Sequence, residues 1–320
     1  MRFRSRIGFG AGPVSGLMTG ADILLQERTL AAAVEGGVDW IDTAAGYGGG
    51  QSESSLGHCL STLGFRGRVQ IATKVRLMPD QLPRPFAAVR HSVESSLQRL
   101  GIPSCDLLYL HNAVTQETGE QPASLALHEV LRTEGVLAAM EKVREEGLTH
   151  ALAITATGDA ECDREIILSG RIQAMQIPYN LLNPSAGAKM PAGWQGTNYG
   201  DLIGTAVREG VRVFAIRVLA GGALALRPPS AHTLTTPYFP LTLYQEDRER
   251  ALHLRSILPD GMDLPEAAVR FALSHPGIDC VLLGMGTPQE VEQALHYQSL
   301  GPLPADLLRA LTTRSLEKRP

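Results

Sequence analysis

Aromatic side chains make up only 5% of the 320 residues, too few for the stacking platforms that hold single-stranded nucleic acid. Charge of one sign is also missing. The formal net charge is −4 and the isoelectric point about 6.1, so there is no basic field to draw in nucleic acid or an anionic membrane surface. Cysteine is sparse. Cys59, Cys105, Cys162 and Cys280 are far apart and form no CxxC, which argues against a disulfide scaffold and reads as reduced core thiols of a cytoplasmic protein. No apolar run is long enough for a transmembrane helix. Arg2, Arg4 and Arg6 imitate the start of a signal peptide, but the stretch behind them, GFGAGPVSGLMTG, is rich in glycine and has no continuous apolar block. No signal peptide is expected. The nine histidines form neither HxH nor HExxH, so no metal site is expected.

What is present is an alternation. Short apolar runs give way repeatedly to longer helical patterns. A first strand near Ile7–Gly10 is followed by strands expected at 38–42, 69–74, 105–110, 150–155, 172–177, 211–216 and 279–284. Nearly every position in these runs is apolar, as in strands buried on both faces. Between them lie amphipathic stretches that end on glycine: ADILLQERTLAAAVEGG, PFAAVRHSVESSLQRLG, LHEVLRTEGVLAAMEKVREEG and TAVREG. Glycine just past a helical pattern is a C-terminal stop. Eight such units without a domain-sized break predict one (β/α)8 barrel, a single domain over residues 1–320. A doubly wound sheet would carry GxGxxG after its first strand, and Gly8, Gly10 and Gly12 do not fit that spacing. Two long connections, Leu182 to Gly200 and Arg217 to about Glu246, are expected to cover the barrel mouth.

The chemistry lies where strands end. Strand two closes on Asp42, with Tyr47 following in DTAAGYGGGQSE; strand three closes on Lys74, and strand four runs into His111. Taken singly, each has a bland reading. Asp42 caps or braces a loop, Tyr47 packs a ring, Lys74 snorkels to water, and His111 is a rim histidine. Three successive strands ending in complementary groups favour a joint role. Lysine is costly to bury unless paired, and Asp42 is the available partner. A nearby ammonium stabilises phenolate, so Lys74 is expected to lower the Tyr47 pKa from near 10. Tyr47 would then donate a proton to a carbonyl oxygen, with His111 orienting that oxygen or sharing the proton relay. Asp42 and His111 as ligands of a metal-dependent isomerase or hydrolase would leave the lysine–tyrosine pairing unexplained.

The segments GVDWIDTAAGYGGGQSESSLG, IATKV, SLQRLGIPSCDLLYLHN, AMQIPYNLL and VREGVRVFAIRVLAGGAL follow one another as in the aldo-keto reductases, and the chain resembles that family from about Gly8 to Leu295. The resemblance implies a (β/α)8 barrel, NADPH-linked interconversion of a small carbonyl compound and its alcohol, and Tyr47 as general acid/base assisted by Lys74, Asp42 and His111. It also implies a cofactor side. Gln176 matches the family's strand-six glutamine. Thr155-Ala156 stands where the family has Ser-Asn, keeping a hydroxyl and losing the amide. Ile216 stands at the stacking tyrosine, and Arg217, which follows it, would reach a phosphate or a substrate carboxylate. Gly284, Gly286 and Thr287 precede a helix whose amino end suits an anion. Glu290 replaces a phosphate-binding arginine, and a carboxylate there would repel a 2′-phosphate, so NAD stands beside NADP as cofactor. The competing reading is a non-catalytic dinucleotide-binding barrel.

Overall fold

The computed structural model describes residues 1–316. Its strands are β1 (Ile7–Gly10), β2 (Trp40–Asp42), β3 (Gln70–Val75), β4 (Leu107–Leu110), β5 (Val114–Thr115), β6 (Leu125–Ala126), β7 (Leu152–Thr155), β8 (Ala174–Pro178), β9 (Arg212–Ile216) and β10 (Cys280–Leu283). Eight close into a parallel barrel in the ring order β1-β10-β9-β8-β7-β4-β3-β2, and β5 and β6 form a separate two-stranded ladder. The (β/α)8 expectation is met.

Most strands begin a residue or two later than their apolar runs suggest, for a reason visible at the amino-terminal rim. The residue just ahead of four strands uses its side chain on a backbone N–H nearby. Asp39 accepts from Arg4 N at 2.9 Å and Asp106 from Ile71 N at 2.8 Å. Gln173 accepts from Leu152 N at 3.0 Å and Asp279 from Val213 N at 2.9 Å. These contacts pair donors that a ladder end leaves open, so the carboxylates and amide close the bottom of the barrel. Above them the interior is filled by Trp40, Tyr109 and Phe214, with Trp40 and Phe214 edge to face at 5.1 Å. Phe3 stacks on Trp40 at 5.7 Å from below. Ala72, Ala153 and Ala174 face these large rings and leave room for them, which is how a small barrel packs without voids.

The helices follow their end signals. Helix Ile23–Glu35 begins where the Asp22 carboxylate accepts from Leu25 N at 3.0 Å. Helix Pro85–Leu100 stops at Gly101, whose φ of 66° only glycine adopts freely. One expected helix is divided. The pattern over 127–147 forms two helices, Leu127–Leu131 and Val136–Glu145. The chain turns extended at Arg132, and at Gly135 a Cβ would lie 2.4 Å from the Glu129 carbonyl oxygen. Only glycine allows that fold-back. The connection after β9 is also more ordered than expected. It holds a 3-10 turn, Ala220–Ala225, a short helix, Ala231–Thr235, and the long helix Leu241–Arg255. The four cysteines are buried and free. Among the described residues no helix is long and apolar enough to cross a membrane, and no three metal-binding side chains cluster.

Candidate active site

Every polar residue singled out at a strand end lies at the carboxyl end of the barrel, because parallel strands share one direction. Lys74 is the hub. It is 1% exposed, and its ammonium donates to Asp42 Oδ2 at 2.6 Å, to the Thr43 carbonyl at 2.8 Å and to Tyr47 Oη at 3.1 Å. That uses all three of its donors. The other Asp42 oxygen accepts from the Gln176 side-chain amide, so both carboxylate oxygens are engaged as acceptors. Burial disfavours the ammonium, but Asp42 and Tyr47 outweigh it and hold the Lys74 pKa above its ordinary value. Burial pushes Asp42 upward, and Lys74 and Gln176 pull it back in part.

Tyr47 departs from expectation in one respect. Lys74 does lower its pKa, but burial raises it further, so the phenol ends above its ordinary value. It therefore holds its proton at neutral pH. His111 follows β4, its ring edge to face with the Tyr47 ring at 5.6 Å. Burial first, then the charges of Lys74 and Arg76, push its pKa well below the usual imidazole value. A neutral imidazole donates one N–H without adding charge.

The loop carrying Tyr47 is shaped by the glycines behind it. Gly48, Gly49 and Gly50 all have positive φ, at 60°, 63° and 95°, a run that L side chains would strain. At Gly50 a Cβ would meet the Arg99 side chain at 2.9 Å. Arg99 is there because Glu53, fully buried, accepts from its Nε at 2.7 Å and from Thr73 Oγ1 at 2.5 Å. Ser52 donates to the Ala11 carbonyl at 2.8 Å and meets Thr43 Oγ1 at 2.9 Å. The GGGQSE sequence thus folds the chain back, and its helix anchors the loop to β1 and β3.

Across the mouth the remaining expected residues lie at the ends of β7 to β10. Thr155 pairs in register with Gln176, and its buried hydroxyl has no hydrogen-bond partner. Gln176 spends its amide on Asp42. Ile216 packs on the aromatic floor of the barrel. Arg217 has φ of 54°, and its guanidinium stacks on the Phe239 ring at 3.7 Å. The segment after β10 differs from the simple anion site expected of Gly284, Gly286 and Thr287. Thr287 Oγ1 accepts from Glu290 N at 3.3 Å, and Glu290 Oε2 accepts from Gly286 N at 2.8 Å. The chain's own carboxylate therefore takes up a backbone donor ahead of the helix. Its other oxygen pairs with Arg227 at 2.6 Å, so Glu290 is not an isolated negative charge.

Two residues escaped the sequence reading, Arg76 and Phe239, while Tyr238 stood out only as part of a substrate-setting loop with no readable code. Arg76 donates to Tyr238 Oη at 2.6 Å and lies over that ring at 4.5 Å. A lysine and an arginine two apart at the end of β3 share one face, which was the available signal. The aromatic pair has no sequence signature.

These features define a class first: a (β/α)8 barrel whose mouth holds a buried lysine hydrogen-bonded to an aspartate and a tyrosine. The profile of the Aldo/keto reductase family matches residues 6–313. The chain belongs to the aldo/keto reductase family, and with it to the oxidoreductases. It is 28% identical to D-threo-aldose 1-dehydrogenase of Pseudomonas sp, covering 98% of this chain and 95% of that protein. It is 26% identical to L-galactose dehydrogenase of Arabidopsis thaliana, covering 93% and 86%. An aldo-keto reductase from Klebsiella pneumoniae, solved in complex with NADPH, superposes with a TM-score of 0.69 at 20% identity over 100% of this chain and 96% of that chain; a likeness at that identity speaks to the fold.

Proposed function

We propose that the protein is a cytoplasmic, single-domain NAD(P)H-dependent oxidoreductase that interconverts a small carbonyl compound and its alcohol, with Tyr47 giving and taking the proton. The observation that carries this reading is the Lys74 ammonium shared between Asp42 at 2.6 Å and Tyr47 at 3.1 Å. A protonated phenol is the acid a carbonyl oxygen needs as it gains negative charge. When Tyr47 gives up its proton, Lys74 already stands beside the new phenolate and stabilises it without reorganisation. Asp42 keeps Lys74 charged and in place. His111, neutral, offers an N–H to the same carbonyl oxygen and helps fix its direction.

The cofactor reading rests on the fit of the opposite side of the mouth. An unpartnered buried hydroxyl is rare and calls for an occupant, and Thr155 supplies one beside Gln176. These two would hold a carboxamide, with Ile216 as an apolar surface against a ring. Arg217, Gly284, Gly286 and Thr287 flank the path a diphosphate would take. When bound, a reduced nicotinamide supplies the hydride. NADPH is the first candidate, since the solved relative from Klebsiella pneumoniae holds it. Glu290 bears on the choice between NADPH and NADH.

Calorimetric titration with NADPH and with NADH, followed by a panel of aldehydes and aldoses, tests this reading. Binding of either cofactor together with substrate-dependent oxidation of it is expected. Binding without turnover on any carbonyl would move the protein to the non-catalytic dinucleotide-binding reading, and binding of neither would overturn both.

A further inference from the structure

Arg76 stands beside the proposed catalytic residues without a partner of opposite charge among the described residues. Among the described residues no carboxylate lies within ion-pair distance of it. Its Nε is buried and has no acceptor. The contact of its guanidinium at NH1, with Tyr238 Oη at 2.6 Å, is to a neutral phenol.

Its placement is fixed from both sides. The carbonyl of Val75, the residue before it, accepts from His111 N at 2.8 Å. Leu77, the residue after it, is clasped by the Asn112 side chain, through its N–H at 2.9 Å and its carbonyl at 2.8 Å. The two neighbours of Arg76 are thus tied to His111 and Asn112. Arg76 also shares the inward face of Lys74 and lies one pleat, about 7 Å, further out of the barrel. Its charge reaches both Tyr47 and His111.

The cover over this site is defined too. Arg76 follows β3 and Arg217 follows β9, strands four places apart in the ring of eight and hence on opposite sides of the mouth. Arg76 holds Tyr238, and Arg217 stacks on Phe239. One dipeptide touching both sides must cross the opening. The resting contact of this strap on the β3 side is the phenol on Arg76.

We propose that the substrate carries a carboxylate a few bonds from its carbonyl group and that Arg76 binds this carboxylate. The proposal rests on the carbonyl–alcohol reading above. A carboxylate accepts two parallel N–H bonds from a guanidinium and binds it more strongly than a neutral hydroxyl does. A side-on pair uses Nε, which has no acceptor, and the adjacent Nη2. Arg76 lies one pleat, about 7 Å, beyond Lys74, whose ammonium holds the Tyr47 hydroxyl, and a spacing of that order suits short oxo-acids and carboxylated aromatic aldehydes.

The test uses matched pairs with NADPH as reductant: 4-oxobutanoate against butanal, 4-carboxybenzaldehyde against 4-methylbenzaldehyde, and glyceraldehyde 3-phosphate against glyceraldehyde. Hydrogen bonds to a charged group predict kcat/KM ratios favouring the carboxylates by about 10- to 150-fold. In Arg76→Gln the same ratios should fall by about tenfold or more, and Arg76→Lys should restore part of the preference. The wild-type ratio needs no variant, so an Arg76→Gln protein that fails to fold leaves the test standing. Equal use of both members of a pair, or preference for the neutral one, overturns this proposal alone. A preference confined to the phosphate pair overturns the carboxylate assignment. No reduction of any carbonyl overturns the carbonyl reading and this proposal with it.

Discussion

The two sides of the barrel mouth are built on different principles. On the side of β2, β3 and β4 the polar groups around Lys74 satisfy one another, while Arg76 at the rim keeps an open donor. Lys74 makes three contacts, both Asp42 oxygens accept, and the Tyr47 loop is tied down through Ser52 and Glu53. On the side of β7 to β10 the groups are either unpartnered or engaged in ways a ligand would have to rearrange. Thr155 has a free buried hydroxyl, Arg217 lies on an aromatic ring with positive φ, and Glu290 fills a backbone donor. A closed network holds reacting groups in fixed geometry before anything binds. An open set of donors is what a site looks like when part of its bonding is left for a ligand. On the proposed reading, the difference is that the first side carries the proton transfer and the second holds the cofactor.

Substitutions on the first side should harm both fold and turnover; those on the second should change affinity while sparing the fold. Lys74→Met has the largest expected effect. It leaves the Asp42 carboxylate buried without its cation, which is expected to cost about 3–5 kcal/mol in unfolding free energy. Turnover should fall by about 100-fold or more as the phenolate loses its stabilising charge. Denaturant melts and initial rates check both, and an undiminished stability would mean that Asp42 is held some other way. Thr155→Val should do the reverse. Removing an unpartnered hydroxyl is expected to leave stability unchanged or slightly raised, whereas cofactor affinity should drop about five-fold for one lost hydrogen bond. Calorimetry reads the second quantity and thermal melts the first; loss of stability with intact affinity would place Thr155 on the structural side.

Glu290→Gln keeps an acceptor for Gly286 N and removes the charge. Affinity for NADPH relative to NADH is expected to rise by about three- to tenfold, and an unchanged ratio would show that Arg227 already neutralises Glu290. The smallest expected change is in the pH profile. His111, held well below the usual imidazole value, stays neutral at neutral pH, so kcat/KM for reduction should show no inflection near pH 6.5. Tyr47 is raised, so its acid form should persist past pH 10 and reduction should decline only as pH climbs through that higher value. An inflection near 6.5 would mean that His111 titrates in the working enzyme.

The same division governs how much could be read from the sequence. The first side was legible because its residues terminate successive apolar runs, and a strand's end fixes where its last side chain lies. Asp42, Lys74 and His111 follow from that rule alone, and Tyr47 from the three glycines that turn its loop back. The eight strands were legible for the same reason, and their true starts were not, because Asp39, Asp106, Gln173 and Asp279 extend each apolar run while bonding sideways. The second side depends on contacts between residues distant in the chain. Glu290 with Arg227 and Arg217 with Phe239 are separated by 63 and 22 residues, and no local pattern couples them; the same holds for Arg76 and Tyr238 across the mouth, 162 residues apart. The sign of the Tyr47 shift was missed because a sequence displays the nearby lysine but not the depth of burial that outweighs it.

The central claim is that Tyr47 transfers the proton and does little else. Tyr47→Phe tests it most directly, measured side by side with the wild type for cofactor affinity by calorimetry and for turnover on a carbonyl that the wild type reduces. The account predicts an NADPH affinity within about two-fold of wild type and a loss of turnover of about 100- to 10,000-fold, the range for removing a general acid. A Tyr47→Phe protein that binds NADPH and still turns over within a few-fold of wild type would contradict it.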